Sequence, residues 1–438
     1  MTTILVTTHA ITGHLRYATP LVRELVAGGH DVLWYTGRVF EPLVVGTGAK
    51  FAPMSTRAGA DAGAADALRS APGRTGGVGG YGATVLEVFV RPVPAFVADI
   101  DELIDSFAPE VVVSDHSFLA GMFAAERRGI PQVVFSTGAL HVSSVDTAPY
   151  GTGLRPLRGP LNRIRNRLLY HLVRRVVMRE PQRAATRIRA ALDLPPLDGF
   201  FFSWPQQIVD RYIQSSIPQL EYPRRDLPGS VVFCGPTRLD GLDAWARPAW
   251  WGRVTQARAA GRPVVFVTQG TAATDPENLL LPAIDGLADA DMLVIATSGG
   301  RDPREVLSAD RHPANVVLEP YIPFTEVLPQ VDLMVTNGGF GGVQTALAHG
   351  VPLVAVGNSE DHMENNARVA WSGAGVWLKK ERQTAERIRH AVRTVLTRPA
   401  YRARAREIMT AYERFPDGAQ AAARVVLDTA ALRKRGTV

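Results

Sequence analysis

The sequence predicts an α/β protein with two domains, each built around a parallel β-sheet. Three observations lead to this fold class. Apolar runs of strand length alternate with segments of helical periodicity, and the alternation restarts after a stretch rich in Pro and Trp at residues 236–251. The chain also has 438 residues, which is more than one hydrophobic core usually organises.

The first half of the chain has four runs with the composition of buried strands, at residues 4–8, 31–36, 111–113 and 133–135. Apolar residues recur at helical spacing over residues 21–26, and the glycines at 28 and 29 are expected to end that helix. An Ala-rich helix is predicted between the last two runs. Because strands that alternate with helices pair in parallel, ligands are expected beyond the carboxyl ends of these strands.

The second half repeats this pattern, with strand-like runs at residues 264–268, 292–296, 316–318, 333–336 and 353–356. Two late helices are predicted, one around residues 388–396 and one over residues 421–431. Two stretches interrupt the alternation in the first half. Residues 58–82 are rich in Gly and Ala and predict a loop, and residues 155–192 predict one or two basic helices.

The composition is that of a globular protein, with 46% hydrophobic and 21% charged residues. The longest apolar runs have the length of strands, so no membrane span is predicted, and no signal-like segment precedes the first strand. Cys234 is the single cysteine, which excludes an intrachain disulfide and leads us to expect a reducing, cytoplasmic location. Since it follows an apolar run, we expect a packed small residue there rather than a reactive thiol.

The positive charge is concentrated in one segment. The net charge is +6, and residues 151–192 contain eleven Arg but one acidic residue, Glu180. No nucleic-acid-binding motif accompanies this charge, so we expect no nucleic-acid partner. Three explanations remain open: a solvated helical face, a site for an acidic or phosphate-bearing acceptor, or peripheral contact with an anionic membrane.

A glycine-rich segment follows the strand-like run at 333–336 and reads Asn-Gly-Gly-Phe-Gly-Gly over residues 337–342. We predict a turn there, followed by a helix over residues 343–349. Glycines let backbone N–H groups approach a ligand closely, and the start of a helix carries partial positive charge. Together these features predict an anion site suited to a diphosphate.

The residues that follow make the signal more specific. Residues 349–352 read His-Gly-Val-Pro, residues 361–369 read Asp-His-Met-Glu-Asn-Asn-Ala-Arg-Val, and Gly-Ala-Gly-Val stands at 373–376. In order and spacing these segments resemble the donor-binding signature of nucleotide-sugar glycosyltransferases of the GT-B fold, which include bacterial natural-product and plant secondary-metabolite enzymes. The resemblance covers most of the chain and is most specific over residues 264–378.

The resemblance implies two Rossmann-like domains that face each other across a cleft. It divides the chain into an acceptor-binding domain over residues 1–235, a linker over 236–262 and a nucleotide-sugar-binding domain over 263–416. A C-terminal helix over residues 417–432 is expected to pack back on the first domain. The sequence leaves a homodimer open.

The resemblance also assigns donor-side roles. Tyr321 would stack on the nucleobase, because an aromatic face suits any base, and the backbone of Ile322 would contact the edge of the base. Residues 269–271, Gln-Gly-Thr, match a loop in which Thr271 would donate to the leaving diphosphate. Asp361 would accept hydrogen bonds from sugar hydroxyls. The remaining donor-side residues implied by the match are Gln269, Asn337, Gly339, Gly341, Gly342, Thr345 and His362.

The acceptor side is expected in the first domain. His14 stands in the segment Gly-His-Leu-Arg over residues 13–16, just after the first strand, and has the side chain whose pKa suits proton abstraction near neutrality. Asp115 ends another strand and would orient His14 and stabilise its protonated form. Gly13, His9 and His141 are expected to line the acceptor pocket, although core or surface packing explains the two histidines equally well.

Several residues depart from the usual signature. Asn337 stands where most relatives have His, Gly342 where a Ser or Thr contacts phosphate, and His362 where Gln contacts the sugar. Thr345 replaces a Glu that holds both ribose hydroxyls, which a deoxyribose needs less, so we favour a dTDP-sugar over a UDP-sugar. Phe324 replaces a Gln beside the base.

The resulting prediction is a hexosyltransferase-type enzyme that moves a sugar, with inversion, to a hydroxyl or other nucleophile of a small secondary-metabolite acceptor such as an antibiotic precursor. No metal or cofactor is expected beside the nucleotide-sugar co-substrate, since no Asp-x-Asp motif is present. The alternatives are a glycolipid-forming transferase at the membrane surface, a nucleotide-sugar epimerase, and a non-catalytic partner protein of the same fold.

Overall fold

Two parallel β-sheets organise the computed structural model, which describes residues 1–55, 82–237, 245–270, 275–308, 311–358 and 362–435. The strands of the first sheet are β1 Thr3–Thr7, β2 Asp31–Thr36, β3 Lys50–Pro53, β4 Val111–Asp115, β5 Gln132–Phe135, β6 Arg211–Gln214 and β7 Val231–Phe233. Those of the second are β8 Val264–Thr268, β9 Leu293–Thr297, β10 Val316–Glu319, β11 Leu333–Thr336, β12 Leu353–Val356 and β13 Gly375–Leu378.

The α-helices connect and cover these strands. In the first half they are α1 Thr12–Ala27, α2 Glu41–Val45, α3 Val93–Phe107, α4 Leu119–Arg127, α5 Leu161–Leu172, α6 Arg179–Ala191 and α7 Pro205–Ile208. In the second half they are α8 Gly252–Ala259, α9 Leu280–Leu287, α10 Pro303–Val306, α11 Phe324–Val327, α12 Phe340–Ala348, α13 His362–Ser372, α14 Ala385–Thr397, α15 Pro399–Tyr412 and α16 Gly418–Arg435. A π-helical segment, Val173–Val177, joins α5 to α6.

The two sheets share the same order over six strands, and the first sheet has a seventh strand at its edge. The order runs β3-β2-β1-β4-β5-β6-β7 in the first and β10-β9-β8-β11-β12-β13 in the second, and every pair is parallel. This is the doubly wound Rossmann order, in which ligands bind where the order reverses. The reversals lie between β1 and β4 and between β8 and β11. The predicted fold class, two Rossmann-like α/β domains, is therefore confirmed.

Both faces of each sheet are covered, so the central strands are apolar along their whole length. In β1, Ile4 and Val6 point to one side of the first sheet and Leu5 points to the other, and all three are fully buried. In β8, Val264 and Val265 divide in the same way between the two sides of the second sheet. This explains why the central strands were visible in the sequence as continuous apolar runs.

The last helix, α16, lies against the first sheet. It contacts α1 and strands β4, β5 and β6, and its buried face carries small residues such as Ala422 and Val426. Cys234 belongs to the same cluster of buried side chains, and burial raises the pKa of its thiol to about 12. A packed, unreactive cysteine is what its position in the sequence indicated.

Several features differ from the sequence-based expectation, among them strands β3, β6, β7 and β13, which were not predicted. Strand β6 was missed because its residues, Arg-Tyr-Ile-Gln, form no apolar run, and its pairing with β5 and β7 makes it a strand. Helix α8 lies inside the predicted linker and packs on the second sheet through Val254 and Ala257. Helix α12 begins at Phe340, three residues earlier than predicted, so Gly341 and Gly342 lie in its first turn.

The remaining predictions about secondary structure have the following outcomes. The basic segment does form two helices, α5 and α6. Residues 58–81 of the predicted loop at 58–82 and residues 238–244 of the predicted linker lie outside the described residues, while Gly82 is helical. Among the helices that the structure describes, none is both long enough and apolar enough to cross a bilayer.

Candidate active site

His14 and Asp115 meet where the first sheet reverses its order. Strand β1 ends at Thr7, and His14 lies in the first turn of α1. Strand β4 pairs in parallel with β1, which places its last residue, Asp115, at the same edge of the sheet. Nδ1 of His14 contacts Oδ2 of Asp115 at short hydrogen-bond distance. Residues 101 positions apart are thus joined by parallel strand pairing.

Asp115 is held in place from several sides. Its side chain is fully buried, whereas that of His14 is 19% exposed toward the cleft. Oδ1 of Asp115 accepts hydrogen bonds from the N–H and the hydroxyl of Ser117, at 2.9 and 3.0 Å. Burial alone would raise the pKa of Asp115, but His14 and His116 outweigh it and hold the pKa well below its usual range. The ionised carboxylate therefore fixes the proton of His14 on Nδ1, so that Nε2 is the basic nitrogen.

The two other predicted histidines sit beside this pair. His9 is buried, with Nε2 3.2 Å from the carbonyl oxygen of Ser117. Burial lowers the pKa of His9 to about 4, so its imidazole is neutral near pH 7. The rings of His141 and His116 are 4.2 Å apart, and burial holds the pKa of His141 well below its usual value. Both are neutral side chains suited to line a pocket.

Tyr150 extends this row of rings. Its ring stacks on His141 with the centroids 3.4 Å apart. His14, His116, His141 and Tyr150 thus form a row of rings that begins where the first sheet reverses its order. Gly13 lies next to His14, and a Cβ atom at Gly13 would meet nothing within 4 Å, so there is open space in front of this turn.

The second sheet brings the predicted phosphate site to its own reversal point. Strand β11 ends at Thr336, and the turn 337–339 leads into α12. Gly338 has φ +92°, and a Cβ atom there would collide with the side-chain oxygen of Asn366. The Asn366 amide donates to the carbonyl groups of Asn337, Val356 and Gly357 at 3.1–3.2 Å. A buried asparagine therefore determines the shape of the turn.

The start of α12 touches the first domain. A Cβ atom on Gly341 would lie 2.7 Å from the hydroxyl of Tyr17, which is one turn beyond His14 on α1. The rings of Tyr17 and Phe340 are 5.6 Å apart, and Phe340 is part of the same buried cluster as Tyr17. The predicted phosphate site and the His14–Asp115 pair consequently face the same cleft.

Two donor-side residues support the loop that precedes this site. The amide of Asn337 donates to the carbonyl oxygen of Gln269 at 2.7 Å. The Gln269 side chain donates to the carbonyl oxygen of Asp275 at 2.5 Å and accepts from the N–H of Leu280 at 3.1 Å. These bonds join the end of the segment after β8 to residues 275 and 280. Thr271 and Asp361, both predicted to contact the donor, lie outside the described residues.

The structure places the other residues predicted to contact the donor as follows. Tyr321 is 47% exposed, so its ring is open to stacking and does not belong to the core, while Ile322 behind it is fully buried. His362 is the first residue of α13. Gly339 precedes α12 directly and lies in open space. The hydroxyl of Thr345 donates to the carbonyl oxygen of Gly341 at 2.8 Å, within its own helix.

Two departures from the signature are explained by one contact. A Cβ atom on Gly342 would lie 3.0 Å from the ring of Phe324, which also packs against Phe266. A Ser or Thr at 342 would need this ring to move. Gly342 and Phe324 therefore form a matched pair, which no reasoning from the separate positions revealed.

Sequence reasoning missed several residues of the site. Ser117 and His116, which contact Asp115, follow it directly and could have been found from that proximity. Asn366, which shapes the turn before α12, lies in the segment 361–369 that carries the resemblance, but no role was predicted for it. Glu364 is buried in α13 and binds a loop of the first domain, and no local pattern indicated this.

Known proteins resemble the chain over nearly its whole length. The family model described as "Erythromycin biosynthesis protein CIII-like, C-terminal domain" matches residues 282–426. A protein of Lentzea aerocolonigenes named 4'-demethylrebeccamycin synthase is 43% identical over 93% of this chain and 95% of its own length. The crystal structure of the kitacinnamycin glycotransferase has a TM-score of 0.74 at 21% identity and covers 98% of this chain and 99% of its own.

A third comparison concerns a structure with a bound nucleotide. The crystal structure of the glycosyltransferase VinC in complex with dTDP has a TM-score of 0.65 at 19% identity, covering 98% of this chain and 99% of that one. The two structural likenesses show the fold, and the 43% identity of the synthase over most of both chains shows the family. The chain is therefore a glycosyltransferase with the GT-B fold, and it belongs to the family that includes 4'-demethylrebeccamycin synthase.

Proposed function

We propose that the protein transfers a sugar from a nucleoside diphosphate to a small acceptor with inversion at the anomeric carbon and without a metal ion. The observation that carries this proposal is the His14–Asp115 pair at the reversal point of one sheet, facing the glycine-lined start of α12 at the reversal point of the other. A base on one side and an anion site on the other suit in-line displacement.

His14 acts as the base. The acceptor oxygen or nitrogen attacks the anomeric carbon, its proton passes to Nε2 of His14, and the bond from the anomeric carbon to the diphosphate oxygen breaks. Asp115 stabilises the imidazolium that forms, because it remains ionised in its buried position. The proton leaves to solvent after the products depart.

The start of α12 receives the leaving diphosphate. The first N–H groups of an α-helix have no partner inside the helix and carry partial positive charge. Gly339, Gly341 and Gly342 present no side chain in front of these groups. Preorganised N–H donors stabilise the negative charge that develops on the leaving oxygen. Thr271 and Asp361 complete this side in the proposal, the first donating to the diphosphate and the second accepting from the sugar.

The nucleotide base stacks on Tyr321, and the preferred nucleotide is dTDP. The exposed ring of Tyr321 and the buried Ile322 beside it support base stacking. The hydroxyl of Thr345 donates to the carbonyl oxygen of Gly341, and Thr345 has no carboxylate that could accept hydrogen bonds from a ribose. A structure of the same fold with bound dTDP is in keeping with this choice.

The nucleotide preference leads to the first prediction. In a thermal-shift screen with dTDP, UDP and GDP, dTDP is expected to raise the melting temperature most, because a ligand stabilises the state that it binds. Thr345→Glu is expected to improve UDP binding by about tenfold, since a carboxylate can accept from both ribose hydroxyls, while dTDP binding changes little. Thr397→Glu is the control, because Thr397 is an exposed threonine at the end of α14 whose hydroxyl likewise donates to the carbonyl oxygen four residues earlier. Stronger stabilisation by UDP than by dTDP in the unaltered protein would contradict the proposed preference.

The acceptor is proposed to be an aromatic or polyketide-like natural product. The relative of 43% identity is named for the synthesis of 4'-demethylrebeccamycin, and the row of His116, His141 and Tyr150 offers ring faces to such an acceptor. The test is transfer from dTDP-glucose and UDP-glucose to a panel of aromatic alcohols and indoles, followed by mass spectrometry. A β-linked product from these α-linked donors supports inversion, and an α-linked product rejects it. Undiminished activity in EDTA supports metal independence, and a loss of activity in EDTA rejects it.

A glycolipid-forming reaction at a membrane surface is the second candidate, because α5 and the π-helical segment after it carry an exposed apolar stripe. Five side chains spaced three or four residues apart are each 53–70% exposed: Leu161, Ile164, Leu168, Leu172 and Val176. Arg167, Arg174 and Arg175 are exposed beside them, and no acidic side chain lies within salt-bridge distance of these three in the described part of the chain. An apolar stripe flanked by arginines suits an anionic bilayer surface.

Vesicle sedimentation tests this second candidate. The protein is expected to bind vesicles of anionic phospholipid at low salt, to bind zwitterionic vesicles less, and to dissociate as salt rises. Ile164→Glu with Leu168→Glu is expected to abolish binding, whereas Val39→Glu, which changes a valine that is 69% exposed elsewhere, leaves it unchanged. If the Ile164→Glu/Leu168→Glu protein and Val39→Glu sediment equally with vesicles, or if the unaltered protein does not bind them, membrane contact through α5 is rejected.

The epimerase alternative has less support. An epimerase would convert a nucleotide sugar into another nucleotide sugar without any acceptor. A reaction without acceptor in the transfer assay tests for such a product. A homodimer and a cytoplasmic location remain predictions.

A further inference from the structure

Glu364 joins the donor side of the molecule to the acceptor side. It lies in α13, two residues after His362, and is only 4% exposed. Its Oε1 accepts hydrogen bonds from three consecutive backbone N–H groups of the first domain, those of Gly151, Thr152 and Gly153, at 2.9, 3.1 and 2.9 Å. A single carboxylate oxygen thus receives three donors from a loop more than two hundred residues away.

The backbone of this loop is shaped for that contact. Gly151 and Gly153 have φ angles of +86° and +59°, which turn successive N–H groups toward one point. The hydroxyl of Thr152 donates to the carbonyl oxygen of Pro149 at 2.7 Å and closes the turn. A Cβ atom on Gly153 would lie 2.9 Å from the ring of Trp377, which follows α13 in the second sheet.

The other oxygen of Glu364 belongs to a buried network of charges. Oε2 pairs with Arg368 at 3.0 Å, and Arg368 also pairs with Glu221 at 2.8 Å. Arg224 lies 3.4 Å from Glu221. The buried network therefore contains two carboxylates and two guanidinium groups, whose charges cancel. Glu221 in turn accepts from the N–H of Leu140 at 2.9 Å. Buried ions are stable only when paired, so this network holds one arrangement of the two domains.

The loop held by Glu364 leads directly to the catalytic pair. Tyr150 precedes the first of the three donors and stacks on His141. His141 packs against His116, whose Nδ1 is 3.3 Å from Oδ1 of Asp115. The same network anchors Leu140, next to His141. Both ends of the segment that borders the acceptor pocket are therefore fixed by carboxylates that pair with Arg368.

We propose that Glu364 is a positioning residue for the acceptor: from the helix that begins at the donor site, it holds residues 149–153 so that Tyr150 and His141 form one wall of the acceptor pocket. This inference rests on the proposed function for its kinetic consequence, but the contact itself can be tested without turnover. Because α13 begins beside the predicted sugar contacts, binding of the nucleotide should tighten the same loop.

Hydrogen exchange of the full-length protein tests the contact directly. In Glu364→Ala, the amides of residues 151–153 are expected to exchange at least about tenfold faster, since hydrogen bonds to a charged acceptor are lost, while those of β1 are unchanged. Glu364→Gln should fall between, because its side-chain oxygen can still accept. Glu407→Gln, which changes a 64% exposed carboxylate of a surface ion pair, is the matched control. Saturating dTDP or UDP should slow exchange at 151–153 in the unaltered protein and not in Glu364→Ala.

Gly153→Ala provides a variant that keeps every buried charge. The added methyl group crowds Trp377 and strains a left-handed residue, so the same amides should exchange faster with the ion network intact. If Glu364→Ala does not fold, Gly153→Ala alone decides the proposal by this measurement. Unchanged exchange at 151–153 in the folded variants would overturn it.

Steady-state kinetics separate positioning from a general structural role. Both Glu364→Gln and Gly153→Ala are expected to raise the acceptor KM by about tenfold or more while the donor KM stays within about twofold. An equal rise in the KM values for donor and acceptor, or a rise in the donor KM alone, would contradict the assignment. If the exchange results hold and the unaltered protein transfers no sugar to any acceptor, the proposed function fails while the contact made by Glu364 stands.

Discussion

His14→Ala is expected to lower kcat for sugar transfer by about 10²–10⁴-fold, the usual contribution of a positioned general base. The acceptor must lose a proton as its bond to the sugar forms, and Nε2 of His14 is the basic nitrogen at the cleft because Asp115 faces Nδ1. Binding of dTDP or UDP should be unchanged, since the start of α12 and Tyr321 are untouched. The rate should be measured with acceptor and donor both saturating.

The control for this variant is His312→Ala, which removes an exposed histidine whose hydrogen bond is to the carbonyl oxygen of the next residue. It should retain full activity. Addition of imidazole to His14→Ala provides a further check, because a small base that enters the vacated space should restore part of the rate. Full activity of His14→Ala without any additive would remove His14 from the mechanism.

Asp115→Asn is expected to lower kcat by about 10³–10⁴-fold, as happens when the carboxylate that orients a catalytic histidine is replaced by an amide. An amide has no charge to stabilise the imidazolium and can also donate to His14, which favours the wrong tautomer. Nucleotide binding should again be retained. Asp291→Asn, at a carboxylate that is 90% exposed, is the matched control and should behave as the unaltered protein.

The same variant has a signature in stability. The pKa of Asp115 is lowered in the folded protein, so its ionised form contributes stability above the ordinary carboxyl pKa, and that contribution is lost as the pH falls toward the folded pKa. The melting temperature of the unaltered protein should therefore decrease more steeply below about pH 4 than that of Asp115→Asn. Parallel curves for the two proteins would mean that Asp115 is not held ionised.

Much of the architecture could be predicted from local sequence. The central strands β1, β4, β8 and β11 are buried on both faces, so they appear as continuous apolar runs, and helices between them imply parallel pairing. His14, just after one strand, and Asp115, at the end of another, were expected to act together, and the structure places them in contact. The glycine-rich segment before α12 was equally visible because backbone approach to an anion restricts the residue type.

Other features needed the tertiary structure. Strand β6 exists because β5 and β7 pair with it, and its own residues do not indicate a strand. From the sequence, Gly342 indicated only the loss of a phosphate contact, whereas the structure shows that the ring of Phe324 occupies the space a side chain at 342 would need. Whether Tyr321 was exposed could not be decided from its neighbours, since burial of one ring depends on elements that are distant in the chain.

The sequence by itself therefore determined the fold class, the glycosyltransferase family and the residues proposed for proton transfer and phosphate binding, because each of these depends on local periodicity or on a short motif. Only the tertiary structure decided how the two domains meet. The Tyr17–Gly341 approach and the bonds from Glu364 to residues 151–153 join segments hundreds of residues apart. Such contacts depend on the spatial arrangement of whole elements, which is not encoded in any single stretch of the chain.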